Sequence, residues 1–188
     1  MRITEDVWAT SDETEFVTRQ VIKRYPNAKR ILELGTGSGA MAIAFAKYMG
    51  AEVTATDNSG AALDVARRNA HENGVNVNFL QRDMFNAVDG KYDLIVSNMA
   101  QTPVDEFNGC GPAESRIAGK DGLKFIRVIA GGAADYLCDG GSLVLQTCYD
   151  PVGIEKLVCM EERFRHGGIE QIKCDEGRVR AVAARLPS

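Results

Sequence analysis

Strongly basic character is missing from this chain. Its 22 Lys and Arg are outnumbered by 26 Asp and Glu, for a formal net charge of −4 and a pI near 5.3. No Lys or Arg block dominates any segment, so there is no strong general signal for nucleic-acid binding. Nor does any apolar run approach the roughly 18 residues of a membrane span, so no membrane partner is expected. The opening MRITEDVWAT is acidic and polar where a secretory signal would be basic and then apolar, which makes a cytoplasmic setting the expectation. CxxC pairs are absent as well. Cys110, Cys138, Cys148, Cys159 and Cys174 stand far apart with no histidine at ligand spacing, so no metal site is expected. Their odd count in such a setting reads as free, mostly buried thiols. Only two histidines occur, His71 and His166, and neither has an obvious partner that would make it a catalytic base.

What is present is an ordinary globular composition, 45% hydrophobic and 26% charged, over 188 residues. That length suits one domain over residues 1–188 with a substantial core. The organising stretch is ILELGTGSGAMAIAFA, residues 31–46. An apolar run through Glu33 crosses Gly35, Thr36, Gly37 and Gly39 and passes directly into an apolar helix-like segment, which spells strand, tight turn and helix. Glycine admits positive φ and lets a ligand approach bare backbone, and the amides opening a helix favour polar or anionic groups. A nucleotide-type cofactor site follows.

Around that turn the chain alternates. Thr10 with Glu13 has the form of a capping box opening a helix that Pro26 stops. Strands are expected at 31–34, 52–56, 76–81, 91–97 and 142–147, with helices at 40–49, 60–73, 121–138 and 152–164. Asp57 and Asn58 end the second strand, and Asp83 with Met84 follows the third. Two closing strands, 169–174 and 178–184, are joined by Asp175, Glu176 and Gly177, a connection short enough to demand an antiparallel pair. The pattern predicts an α/β fold with a mostly parallel sheet and helices on both faces. Residues 98–120, rich in Gly and Pro, form a connection long enough to be a functional loop.

GTGSGA satisfies GxGxxG/A, and Asp57 stands near the distance expected of a ribose-binding acid, so a dinucleotide such as NAD is one candidate. Three features favour S-adenosyl-L-methionine instead: Glu33 just before the first glycine, Asp83 with apolar Met84 beyond the third strand, and the closing antiparallel hairpin. Each acid has a local alternative, Asp57 as a helix cap and Asp83 as a turn residue.

Taken together, ELGTGSG, TATDNS, QRDMF and DLIVSN resemble the class I S-adenosylmethionine-dependent methyltransferases over almost the whole chain. The resemblance implies their Rossmann-like fold, a seven-stranded, mostly parallel sheet with an antiparallel C-terminal strand. It also implies that Gly35, Gly37 and Gly39 pass under the methionine moiety, that Asp57 binds the ribose hydroxyls and that Asp83 meets the adenine amino group. An acceptor-only carboxylate suits a diol and an exocyclic amine.

DETEFV, SNMAQTP and KDGLKFIRVIAGGAADYL resemble more narrowly the HemK/PrmC catalytic domain, which methylates a glutamine side-chain amide in release factors. In that family the strand-four signature is NPPY, whose Asn side-chain oxygen and following backbone carbonyl orient the planar NH₂. The matching residues here are Asn98, Met99, Ala100 and Gln101. Asn98 is thus the expected catalytic residue and the Met99 carbonyl its companion. Gln101, replacing an aromatic, is expected to contact a polar substrate. With both prolines gone, nothing in the sequence stiffens the pair, so a slower enzyme or a different acceptor is expected. No counterpart of the N-terminal helical domain of bacterial members is expected. The reading is a methyltransferase acting on an amide or amine nitrogen of a protein or RNA. A cofactor-binding but non-catalytic or activating subunit remains open, as does an NAD-dependent enzyme.

Overall fold

The computed structural model describes residues 11–109 and 113–188. Helix α1 (Asp12–Arg24) starts where the Ser11 hydroxyl accepts the Thr14 N–H at 3.3 Å; Thr10 lies outside the described residues. Asp12, Glu13 and Glu15 fill its first turn and Lys23 and Arg24 its last, the distribution that the helix dipole favours. Thr14, Val17, Thr18 and Val21 form its buried stripe at helical spacing.

Seven strands follow: β1 (Arg30–Leu34), β2 (Glu52–Asp57), β3 (Asn78–Gln81), β4 (Tyr92–Ser97), β5 (Leu137–Gln146), β6 (Ile169–Lys173) and β7 (Val179–Arg185). They make one sheet in the order β3-β2-β1-β4-β5-β7-β6. β1 to β5 pair in parallel, and β7 runs antiparallel to both β5 and β6. The expected fold class, including the closing antiparallel hairpin, is therefore what the chain adopts. The central strands β1 and β4 are buried along nearly their whole length because helices cover both faces of the sheet, while the edge strands β3 and β6 carry exposed polar residues. Ile31, Leu94, Val96 and Val144 pack with α1 and with α2 (Ala40–Met49). Their alternates Leu32, Leu34, Ile95, Leu143 and Leu145 pack with the later helices α4 (Lys124–Gly132), α5 (Pro151–Met160) and α6 (Glu162–Gly167). The remaining helix, α3 (Gly60–Asn73), joins β2 to β3.

Three elements depart from expectation. α4 covers only part of 121–138: it stops at Gly132, a 3₁₀ turn occupies Ala133–Asp135, and β5 starts at Leu137. Paired glycines weaken the helix end, and a Cβ at Gly132 would stand 3.0 Å from the Phe85 ring, so the glycine is kept for close packing. Asp139 to Gly141, read as a turn before the strand, lie within β5, where the pairing register to β4 shifts between Tyr92 and Leu94 and Gly140 takes φ +69°. The helix expected at 152–164 is broken at Glu161, whose extended backbone ends α5 and whose carboxylate accepts the Arg163 N–H of α6. Among the described residues no helix is long and apolar enough to cross a membrane. Cys138, Cys148, Cys159 and Cys174 are unpaired but none is buried, which corrects that part of the expectation; Cys110 lies outside the described residues.

Candidate active site

β1 and β4 are sheet neighbours although two helices and two strands separate them in sequence, so the chain leaves the sheet in opposite directions at their carboxyl ends. Open α/β sheets bind ligands in that crevice. The register brings Leu34 beside Thr56 and Ser97, and Ser97 beside Leu145, so that four strand ends deliver their following loops to one place.

The glycine turn leaves β1 there. Gly35, Gly37 and Gly39 all have positive φ, +72°, +54° and +82°. The N–H groups of Gly35 and Thr36 both donate to the Thr56 carbonyl at 2.9 Å. Asn69, fully buried on α3, donates to the Ser38 carbonyl at 2.9 Å and ties the far side down. Gly39 caps α2, where a Cβ would come 3.0 Å from Ala66 Cβ; its role is the close approach of α2 and α3.

Glu33 lies beneath this turn rather than on its open side. It is 2% exposed, and its Oε2 accepts the Thr36 hydroxyl at 2.7 Å and the Ala42 N–H of α2 at 2.9 Å. Burial pushes its carboxyl up to about 8, with a smaller upward push from the Asp57 charge, against the lowering by its two hydrogen bonds. The residue expected to bind cofactor directly is thus a buried support for the loop that would do so.

Asp57 is half-buried and spans the loop and its own turn, Oδ2 accepting the Gly37 N–H at 2.8 Å and Oδ1 the Ser59 N–H at 2.9 Å. A carboxylate offers about four lone pairs, so each oxygen retains one for a diol. The Asn58 carbonyl is held by the Gln81 amide at 3.1 Å, which docks the β2 turn on β3. Beyond β3, Asp83 is exposed and Met84 takes φ +50°, the left-handed region that an unbranched side chain enters only at a cost. Asp83, Met84, Phe85 and Asn86 line one side of a cavity of about 340 Å³, with Lys124, Phe125 and Val128 of α4 on the other. A glycine cradle, a carboxylate with spare lone pairs and this adjoining cavity fit the methionine, ribose and adenine portions of S-adenosylmethionine in that order.

Across from them, β4 ends in Ser97, whose hydroxyl donates to the Leu34 carbonyl at 3.0 Å, and continues into Asn98. Asn98 Nδ2 donates to Thr14 Oγ1 of α1 at 3.1 Å, and no described residue donates to its Oδ1. The Met99 side chain folds over the glycine turn: a Cβ at Gly35 would run into Met99 Sδ. Gln101 does not face a substrate. It is 5% exposed, its Nε2 donating to the Gln146 carbonyl at 2.7 Å and to the Met99 carbonyl at 3.4 Å, while its Oε1 accepts the Cys148 N–H at 3.2 Å. The expectation of an unbraced Asn98–Gln101 segment fails for the same reason, since this amide staples the segment to the end of β5. Gly122, at φ +74°, presses against the Gln101 carbonyl where any Cβ would collide. Thr14, Gln146 and Gly122 escaped the sequence reading; Thr14 alone was signalled, through the DETEFV match.

Comparison with known proteins bears on the family and the fold. Residues 8–102 match the methyltransferase small domain family. A release factor glutamine methyltransferase from Xylella fastidiosa is 43% identical over 149 residues, 73% of this chain and 54% of that protein. One from Coxiella burnetii is 34% identical over 98% of this chain and 69% of its own length. The chain thus spans between about half and about two thirds of the length of these curated relatives. Among solved structures, a methyltransferase from Pyrococcus furiosus superimposes with a TM-score of 0.71 at 22% identity, covering 97% of this chain and 89% of the other. The E. cuniculi Mtq2-Trm112 complex, responsible for methylation of the termination factor eRF1, gives 0.69 at 18% identity over 97% and 99%. With its strand order, its glycine turn and these relatives in hand, the chain belongs to the methyltransferase small domain family and has the class I methyltransferase fold.

Proposed function

We propose that the chain is an S-adenosylmethionine-dependent methyltransferase whose acceptor is a planar side-chain amide nitrogen of a protein. The observation that carries this reading is Asn98, with its NH₂ turned to α1 and its Oδ1 without a donor among the described residues, next to a Met99 carbonyl braced by Gln101. Two carbonyl oxygens a residue apart can each accept one hydrogen of a flat NH₂ and hold its plane. Bound S-adenosylmethionine would supply an electrophilic methyl on a positively charged sulfur, with the neutral thioether as the leaving group once the C–S bond breaks. Gly35, Gly37 and Gly39 would hold its methionine portion, Asp57 and Asn58 the ribose edge, and Asp83 with Met84 the adenine; Glu33 and Thr36 keep the turn in shape. Asn98 and Met99 orient the acceptor nitrogen, which gains the methyl and releases one proton to solvent. Such positioning supplies on the order of 7 to 11 kcal/mol of a barrier. A protein acceptor is favoured over RNA by the −4 net charge and by the names of the curated relatives.

Titration calorimetry with S-adenosylhomocysteine should give saturable binding that Asp57→Ala removes. Radiolabelled methyl transfer into a cell extract should mark protein rather than RNA and disappear in Asn98→Ala. Absence of binding refutes the cofactor assignment, and binding of a nicotinamide dinucleotide in its place points to hydride transfer. Binding with no transfer points to a non-catalytic or activating subunit.

A further inference from the structure

The side chain that orients an amide must itself be held the right way round. An Asn rotated by half a turn about its last bond presents NH₂ where a carbonyl oxygen is needed, and would repel the N–H groups of an amide acceptor. What sets Asn98 is a three-element junction at Thr14. Thr14, on α1, is 6% exposed; its Oγ1 lies 3.1 Å from Asn98 Nδ2 at the end of β4 and 3.3 Å from Gln146 Nε2 at the end of β5. It also lies 3.3 Å from Ser11 Oγ.

A hydroxyl has two lone pairs and one hydrogen. With the Asn98 and Gln146 amide nitrogens both donating to it, its two lone pairs are filled and its hydrogen is left for Ser11. Should Gln146 rotate to take that hydrogen through Oε1, Asn98 still meets a lone pair and still donates. In both of these arrangements the Asn98 carbonyl oxygen faces away from α1; only a Thr14 hydrogen turned to Asn98, with Ser11 donating in its place, would reverse it. Gln146 is the second half of the brace. It is 1% exposed, its side chain occupies Thr14, and its backbone carbonyl accepts Gln101, the residue holding the Met99 carbonyl. Its Oε1 is buried and meets no donor among the described residues. Both acceptor-orienting oxygens are therefore braced through one point at the end of β5.

Resting on the amide-acceptor reading above, we infer that Thr14 is a positioning residue for the methyl acceptor, fixing the rotation of the Asn98 amide through its hydroxyl. It supplies by hydrogen bonding the stiffness that this chain does not take from prolines at residues 99 and 100.

The test compares Thr14→Val, which keeps shape and removes the hydroxyl, with Thr14→Ser, which keeps the hydroxyl. Thr14→Val should lower kcat by roughly 10- to 100-fold while KM for the acceptor changes less and the affinity for S-adenosylhomocysteine is unaltered. Thr14→Ser should restore most of the loss. Unchanged kcat in Thr14→Val, or a Thr14→Ser enzyme as slow as Thr14→Val, overturns the proposal. A second arm needs no activity. The Asn98 side-chain amide resonances, identified by their disappearance in Asn98→Asp, should shift and exchange faster with water in Thr14→Val than in the parent. Resonances that do not respond overturn the link between Thr14 and Asn98. An enzyme with responsive resonances but no methyl transfer in the parent itself refutes the proposed function instead.

Discussion

Glu33 offers a sharp thermodynamic test because its environment is so one-sided. Its carboxyl is buried, receives two hydrogen bonds on one oxygen and lies near the negative charge of Asp57, and it is pushed from 4.5 up to about 8. Between those values the folded protein holds a proton that the unfolded chain has released. Stability from this group is therefore complete below about pH 4.5 and declines as pH rises toward 8. The slope is at most about 1.4 kcal/mol per pH unit, and the total across the window is on the order of 5 kcal/mol at most. Glu33→Gln abolishes the titration while keeping an oxygen that Thr36 and Ala42 can use. The variant should match or fall slightly below the parent at pH 5 and exceed it at pH 8. Urea unfolding of both chains at several pH values between 5 and 8 measures this, and ionising groups not coupled to Glu33 cancel in the difference. Parallel profiles, or a variant that loses ground as pH rises, would refute the assignment of a proton to buried Glu33.

Two further substitutions separate the halves of the site. Gln101→Leu keeps volume but leaves the Gln146 carbonyl and the Cys148 N–H without their partner. It should cost about 1 to 3 kcal/mol of stability and slow methyl transfer without weakening S-adenosylhomocysteine, with faster amide hydrogen exchange confined to the segment after β4. Gly39→Ala meets Ala66 at 3.0 Å from a backbone with φ +82°. It should destabilise by roughly 1 to 3 kcal/mol and weaken cofactor binding, and a neutral result in both calorimetry and unfolding would contradict the packing role of that glycine.

The two halves were unequally legible in the sequence. The cofactor half is written locally: the glycines that need positive φ, the strand ends at Asp57 and Asp83, and the helix that starts at Ala40 all lie within a few residues of the signals that announce them. The acceptor half is written across long separations. Thr14 is 84 residues from Asn98 and 132 from Gln146, and Gln101 is 45 from Gln146. An isolated Gln after a strand carries no sign of whether it will face a substrate or a backbone carbonyl across the sheet. The misread end of α4 has the same origin. Ala133, Ala134 and Leu137 continue a helical apolar spacing, and only the pairing of Leu137 with Tyr92 decides for a strand.

Rigidity gained through hydrogen bonds differs in kind from rigidity gained through prolines. A proline restricts its own φ whatever surrounds it, so a proline-bearing loop keeps part of its shape even when its neighbours loosen. Here the shape of Asn98 to Gln101 depends on α1, β5 and the Gly122 turn all being docked, each linkage contributing about 1 kcal/mol net. The acceptor side is therefore cooperative with the packing of α1, while the glycine turn is held by β2, α2 and α3. Met99 is the point where the two meet, since its thioether lies over Gly35. Its backbone carbonyl accepts the Gln101 amide, which also donates to the Gln146 carbonyl. On the function proposed above, Met99 thus joins the cofactor half of the site to the acceptor half, although its sequence signal was only that it stood where a proline was expected.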